Sequence, residues 1–133
     1  MISGQVGDNK RASVDAQVWV PTLGARVDVR LRIDLGADVT SVSFSDLGLD
    51  APPAVPLDDA ALVQVEGARV VPGTSSRALI RFTHDEGATY TAMVDLVLLG
   101  GPEGHARLGL DVLGSMVLVY DPGSAAAFLE PVT

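Results

Sequence analysis

The chain contains no cysteine. Disulfide bonds, thiol nucleophiles and thiolate zinc sites are therefore excluded, and cysteine usage carries no signal of redox compartment. Histidine is nearly absent: His84 and His105 stand alone, far apart and without metal-ligand spacing, so no metal site is expected and both are read as surface loop residues. A Ser-His-Asp arrangement built on either would rest on composition alone. Basic residues are scarce, with nine Lys and Arg against seventeen Asp and Glu, a net charge of −8 and a pI near 4.4. Phosphate recognition needs clustered cations, so nucleic acid is not an expected partner, and the acidity is read as serving solubility. Aromatics make up only 5%, which leaves a core to be built from Val, Leu, Ile and Ala. No apolar run approaches the roughly 20 residues that span a bilayer. The opening "MISGQVGDNKRASVD" has no cationic segment leading into an apolar one, so it is not read as a signal peptide. The expectation is a soluble protein without a membrane partner, cytoplasmic by default.

What remains is a strongly apolar chain of 133 residues, 47% hydrophobic, with a mean hydropathy of +0.32. That length suits one domain with a real core. Residues 13–133 are read as that domain and residues 1–12 as an extension expected to be poorly ordered. Strand signals dominate. Ser13 to Val20 is Val-rich, and "PTLGA" supplies a turn. Val27, Val29, Leu31 and Ile33 then alternate with Asp28, Arg30, Arg32 and Asp34. This period of two marks a strand with one buried and one solvated face. Pro52, Pro53 and Pro56 forbid a long helix after Ser45, which suits a short helical turn. Further strands are expected at 61–65 and 69–71 around the tip Glu66-Gly67-Ala68, and at 78–83 and 90–99. A short strand near 107 leads into one helical turn at "DVLGS". "MVLVY" and "AAAFLE" complete the set. Many short strands separated by turns predict an all-β fold, a small and mainly antiparallel barrel or sandwich. No repeat or linker interrupts it.

The segment "RIDLGADVTSVS", from Arg32 to Ser43, resembles the active-site segment of the retropepsins. These are the single-domain aspartic proteases of retroviruses and their cellular and bacterial relatives. The family's usual form is Asp-Thr-Gly-Ala-Asp or Asp-Ser-Gly-Ala-Asp, entered from an apolar strand. About seventy residues on, "ARLGLDVLGSMVLVYD" resembles the family's C-terminal element, with Gly109 and Asp111 at its supporting positions. The likeness extends from about Val14 to Leu129. Asp46-Leu47-Gly48 also spells Asp-Leu-Gly, but no alternating strand precedes it, and Asp46 is read as a loop or capping residue.

The resemblance implies a small closed barrel of the retropepsin type with one short C-terminal helix, active as a homodimer without a cofactor. Asp34 is then the catalytic residue, in a loop made of Leu35, Gly36, Ala37, Asp38 and Thr40. Carboxylate-driven hydrolysis needs a water between two acids, one acting as base and the other, protonated, as acid. Such a pair shares a proton because two adjacent carboxylates resist ionising together. One chain supplies one such acid, so the expected enzyme is a homodimeric endopeptidase with one Asp34 from each subunit and a polypeptide as substrate. Gly36 lets the backbone pass close to the carboxyls, and Ala37 keeps the channel clear. Family members place the acid matching Asp38 against substrate backbone, and the Thr matching Thr40 supports the loop. The family's flap matches the hairpin around Glu66, Gly67 and Ala68. Its dimer-knitting chain end matches "AAAFLEPV".

Two departures bear on activity. Leu35 stands where the family has Thr or Ser, whose hydroxyl bonds across the dimer axis. A lost hydrogen bond costs about 0.5–1.5 kcal/mol net, so altered activity is expected. Leu110 stands where viral members often carry an Arg for the acid matching Asp38, which leaves Arg30 or Arg32 as candidate partners. The alternative readings are a catalytically silent retropepsin-fold module that binds peptides or mediates assembly, and an unrelated barrel in which Asp34 merely ends a strand.

Overall fold

The structure, a computed structural model, describes residues 1–7, 11–49, 60–65, 69–100, 106–121, 123 and 126–132, with the backbone alone for 60–65 and 69–73. The strands are β1 (Ile2–Val6), β2 (Ala12–Val20), β3 (Ala25–Ile33), β4 (Ser41–Ser43), β5 (Ala60–Val65), β6 (Arg69–Thr83), β7 (Thr89–Leu99), β8 (Arg107–Leu108), β9 (Met116–Asp121) and β10 (Ala126–Pro131). One short helix, α1 (Leu110–Leu113), follows β8. No helix among the described residues is long and apolar enough to cross a membrane.

The ten strands among the described residues join one sheet in the order β5-β6-β7-β4-β8-β3-β2-β1-β10-β9. A further pairing of β2 with β6 closes six of them into a barrel. The alternation along β3 does what period two requires. Leu31 is fully buried and Val29 nearly so, while Asp28 and Arg30 face outward. Val18, Val20, Leu31, Val42, Ile80, Phe82, Leu96, Leu98 and Leu108 show no exposed surface and fill the core. Phe82 is its one fully buried aromatic, in line with the low aromatic content. Trp19 lies at the surface end of the hairpin, where the Arg26 guanidinium sits 4.9 Å from its ring centroid.

Three features differ from the sequence reading. Residues 1–12, read as an extension, supply β1 and the start of β2. Ile2 is 1% exposed, and β1 is zipped between β10 and β2, so burial of one apolar side chain and two ladders hold a segment whose sequence is mostly polar. The break expected between 71 and 78 does not exist, because β6 runs unbroken from Arg69 to Thr83. Pro72 is tolerated because it pairs with Leu62 of β5, whereas pairing with β7 begins only at Gly73. Among the described residues no strand pairs with its other side there, which is where a missing N–H is tolerated. The hairpin of β5 and β6 pairs down to Val65 and Arg69, and its tip, Glu66, Gly67 and Ala68, lies outside the described residues, as does His105. His84 sits in the β6–β7 turn with its side chain 15% exposed, 3.9 Å from Glu86.

Candidate functional site

The chain leaves β3 at Ile33 and reaches β4 at Ser41, yet β3 and β4 are not neighbours. Residues 34–40 must arch over a gap one strand wide. That gap is filled from far away in sequence by β8, which runs parallel to β3 through Arg32↔Arg107 and Ile33↔Leu108. β8 touches β4 antiparallel at Ser41↔Arg107, and β4 runs parallel to β7. The arch and the β8–α1 connection therefore cross.

The crossing is tightly bonded. Asp34 N–H donates to the Leu108 carbonyl at 3.1 Å, Leu110 N–H to Ala37 at 2.8 Å and Asp111 N–H to Asp38 at 3.1 Å. Thr40, fully buried, anchors the far end of the arch. Its hydroxyl donates to Asp111 Oδ1 at 2.7 Å, its N–H donates to Asp111 Oδ2 at 3.0 Å, and the hydroxyl oxygen accepts from Gly109 N–H at 3.0 Å. A Cβ on Gly109 would lie 2.5 Å from the carbonyl carbon and oxygen of Val39, so only glycine permits this approach. Thr40 of the first motif meets Gly109 and Asp111 of the second here.

Asp34 sits at the head of the arch with its side chain 24% exposed. Gly36 N–H donates to its Oδ1 at 3.0 Å, and Ala37 N–H donates to its backbone carbonyl at 3.2 Å. A Cβ on Gly36 would stand 3.3 Å from Asp34 Oδ1, so a larger residue would press on the carboxylate. Leu35 is 60% exposed and Leu110 is 42% exposed; Asp38 also faces solvent. The carboxyl opens onto a cleft of about 440 Å³ whose walls include Arg11, Arg32, Leu35, Leu118 and Tyr120.

The other carboxylate oxygen has cationic company. Arg107 Nη1 lies 3.4 Å from Asp34 Oδ2, and Arg32 Nη2 lies 3.8 Å from it. Arg107 is 6% exposed, and its Nε and Nη2 find no hydrogen-bond partner among the described residues. The sequence reading missed this residue. Arg107 is adjacent to Asp34 only through the parallel β3–β8 register, and no local pattern announces that pairing. The candidates for pairing with Asp38 are placed elsewhere: Arg30 bonds Asp15 at 3.1 Å, and Arg32 lies against Asp34. Asp46 caps a short turn, accepting from Ser43 N–H at 2.9 Å while its own N–H donates to Ser43 Oγ at 3.1 Å.

No protein-family model and no curated protein matches the sequence. Among the described residues no group of three or more metal-ligating side chains comes together.

Proposed function

We propose that this chain is a retropepsin-like aspartic endopeptidase that works as a homodimer. The observation that carries the reading is the setting of Asp34. It is an accessible acid at the head of an arch that is locked from below by Thr40, Gly109 and Asp111 and opens onto a cleft. A residue that merely ended a strand would need no such foundation.

In the dimer a second Asp34 faces the first across a two-fold axis, with water between them. The ionised carboxylate takes a proton from the water as its oxygen attacks the peptide carbonyl carbon. The protonated partner donates to the carbonyl oxygen. When the tetrahedral intermediate collapses, the C–N bond breaks, the carboxyl that gained the water's proton delivers it to the leaving nitrogen, and the other carboxylate takes a proton back from one hydroxyl of the intermediate as the C=O re-forms. The Gly36 N–H holds Oδ1 in one orientation throughout, which reduces the reorganisation needed. Leu35, exposed beside the acid, carries no hydroxyl, so packing replaces a polar link across the axis.

A second reading is a dimer of the same build that binds polypeptide without cleaving it. The observation favouring it is the pair of guanidiniums within 4 Å of Asp34, at 3.4 and 3.8 Å, because they already engage the Oδ2 that water activation would have to use. The deciding experiment incubates a denatured protein with wild type and with Asp34→Asn at mildly acid pH. Cleavage by the first and not the second supports the protease. A folded dimer that cleaves nothing, even as Leu35→Thr, overturns it in favour of the binding module.

A further inference from the structure

We propose that the solvent-facing side of the sheet formed by β3, β2, β6 and β7, around Trp19, binds an acidic stretch of polypeptide. None of the residues involved belongs to the Asp34 cleft, so the inference stands apart from the protease reading.

Outward positions of antiparallel strands with one buried face are ordinarily polar. Three of them here are not. Trp19 on β2 pairs with Leu79 on β6, and Leu79 pairs with Met93 on β7. All three point away from the core, because their sequence neighbours Val18, Val20, Ala78, Ile80 and Val94 are buried. They form one apolar row across three strands, and Met93 at its end is 63% exposed. Apolar side chains scattered singly over a surface are ordinary, but a contiguous patch rimmed by polar groups marks a contact surface.

The rim is cationic. Arg26, opposite Trp19, lies over the indole at 4.9 Å, and Arg81, opposite Gln17, stands one row along. With Trp19 and Leu79 they line a cup of about 170 Å³. Arg30, Arg32, Arg77 and Arg107 each face a carboxylate, whereas among the described residues neither Arg26 nor Arg81 has an acidic partner. Cross-strand packing explains the apolar row, but it gives no reason for two such arginines beside one cup in a chain of net charge −8.

The occupant follows from what the surface offers. From Gln17 to Trp19, β2 is paired on both sides, with β3 and with β6, so a ligand gains no backbone ladder there and must bind through side chains. A carboxylate suits the cup, because hydrogen bonds between guanidinium and carboxylate are stronger than neutral ones. An apolar neighbour in the same ligand would cover Leu79 and Met93. A bare inorganic anion would leave that row wet. Nucleic acid carries a charge about every 1.7 Å, far more than two arginines offset, and the protein's own charge repels it. A short acidic and apolar peptide meets both demands.

The test uses the full chain at neutral pH. Trp19 is its lone tryptophan, so indole fluorescence reads the site directly, and the anisotropy of a labelled peptide gives a second readout. The probe is a capped peptide, Gly-Glu-Leu-Glu-Leu-Gly, beside its counterpart with Gln in place of Glu. The acidic peptide is expected to change Trp19 emission saturably, and the Gln peptide to bind at least about tenfold more weakly. The variant carrying both Arg26→Gln and Arg81→Gln is expected to lose at least about tenfold in affinity for the acidic peptide. Its circular dichroism spectrum should match wild type, since both side chains are exposed. Arg30→Gln removes a guanidinium already paired with Asp15 and is expected to change affinity less than about twofold. No saturable change up to roughly 1 mM peptide, equal binding of the Glu and Gln peptides, or a double variant that binds like wild type each overturns the inference. So does an equal loss in Arg30→Gln, which would reduce the effect to overall charge, or tighter binding of an oligouridine than of the acidic peptide.

Discussion

Thr40 and Asp111, seventy-one positions apart, share two hydrogen bonds, one from the Thr40 hydroxyl at 2.7 Å and one from its N–H at 3.0 Å. These bonds tie the Asp34 arch, at the buried Thr40, to the start of α1. Thr40→Val keeps the shape, but it removes the hydroxyl and leaves Gly109 N–H without its acceptor. The expected loss is about 1–3 kcal/mol of stability, by denaturant unfolding. Thr40→Ser keeps the hydroxyl and should lose much less. Equal stability for Thr40→Val and wild type would show that the arch does not depend on this bond.

Gly109→Ala forces a methyl into the Val39 carbonyl, where the space is 2.5 Å. Either the arch or β8 must shift, at a cost of about 1–3 kcal/mol or more. If the protein is a protease, cleavage should fall further than stability does, because a displaced arch misplaces Asp34. A variant with unchanged unfolding midpoint and unchanged cleavage would mean that the crossing is looser than described.

Arg107 and Asp34 respond differently to removal. Arg107→Met fills the same space and eliminates two buried donors that lack partners among the described residues. Asp34 stays partly solvated beside Arg32. Stability is expected to hold or rise by up to about 2 kcal/mol. Asp34→Asn leaves the buried guanidinium without its anion and should cost about 1–3 kcal/mol. Thermal melts of the two variants check this, and a large fall for Arg107→Met would assign the arginine a structural bond outside the described residues. The same melts establish that Asp34→Asn is folded before its lack of cleavage is interpreted.

In the proposed protease, proton sharing between two Asp34 carboxyls would tie cleavage to pH. One must be ionised and the other protonated, so the rate should pass through a maximum on the acid side and decline when both ionise. Cleavage of a denatured protein measured from about pH 4 to pH 8 tests this. A flat profile is incompatible with a carboxyl pair.

Much of the fold was legible because strand chemistry is local. The alternation from Val27 to Asp34 marked β3 and its buried face, and "PTLGA" marked its hairpin with β2. The short helix after Gly109 was legible in the same way. β1 was not, since a short polar strand becomes ordered only through neighbours supplied from elsewhere. The continuity of β6 across 72–77 was not legible either, since Pro72 lies inside the strand where the known pairing is with β5 alone.

The amino-acid sequence alone determined an acidic, cysteine-free, all-β chain, because residue chemistry and period-two patterning are properties of short stretches, and its resemblance to the retropepsins singled out Asp34, Thr40, Gly109 and Asp111. Only the tertiary structure decided that β8 fills the gap between β3 and β4, that Arg107 stands beside Asp34, and that β9 rather than β10 is the last strand of the sheet. These are outcomes of parallel and long-range pairing. Such pairings depend on which strands remain available once the nearer hairpins have closed, and no stretch of chain carries that information by itself.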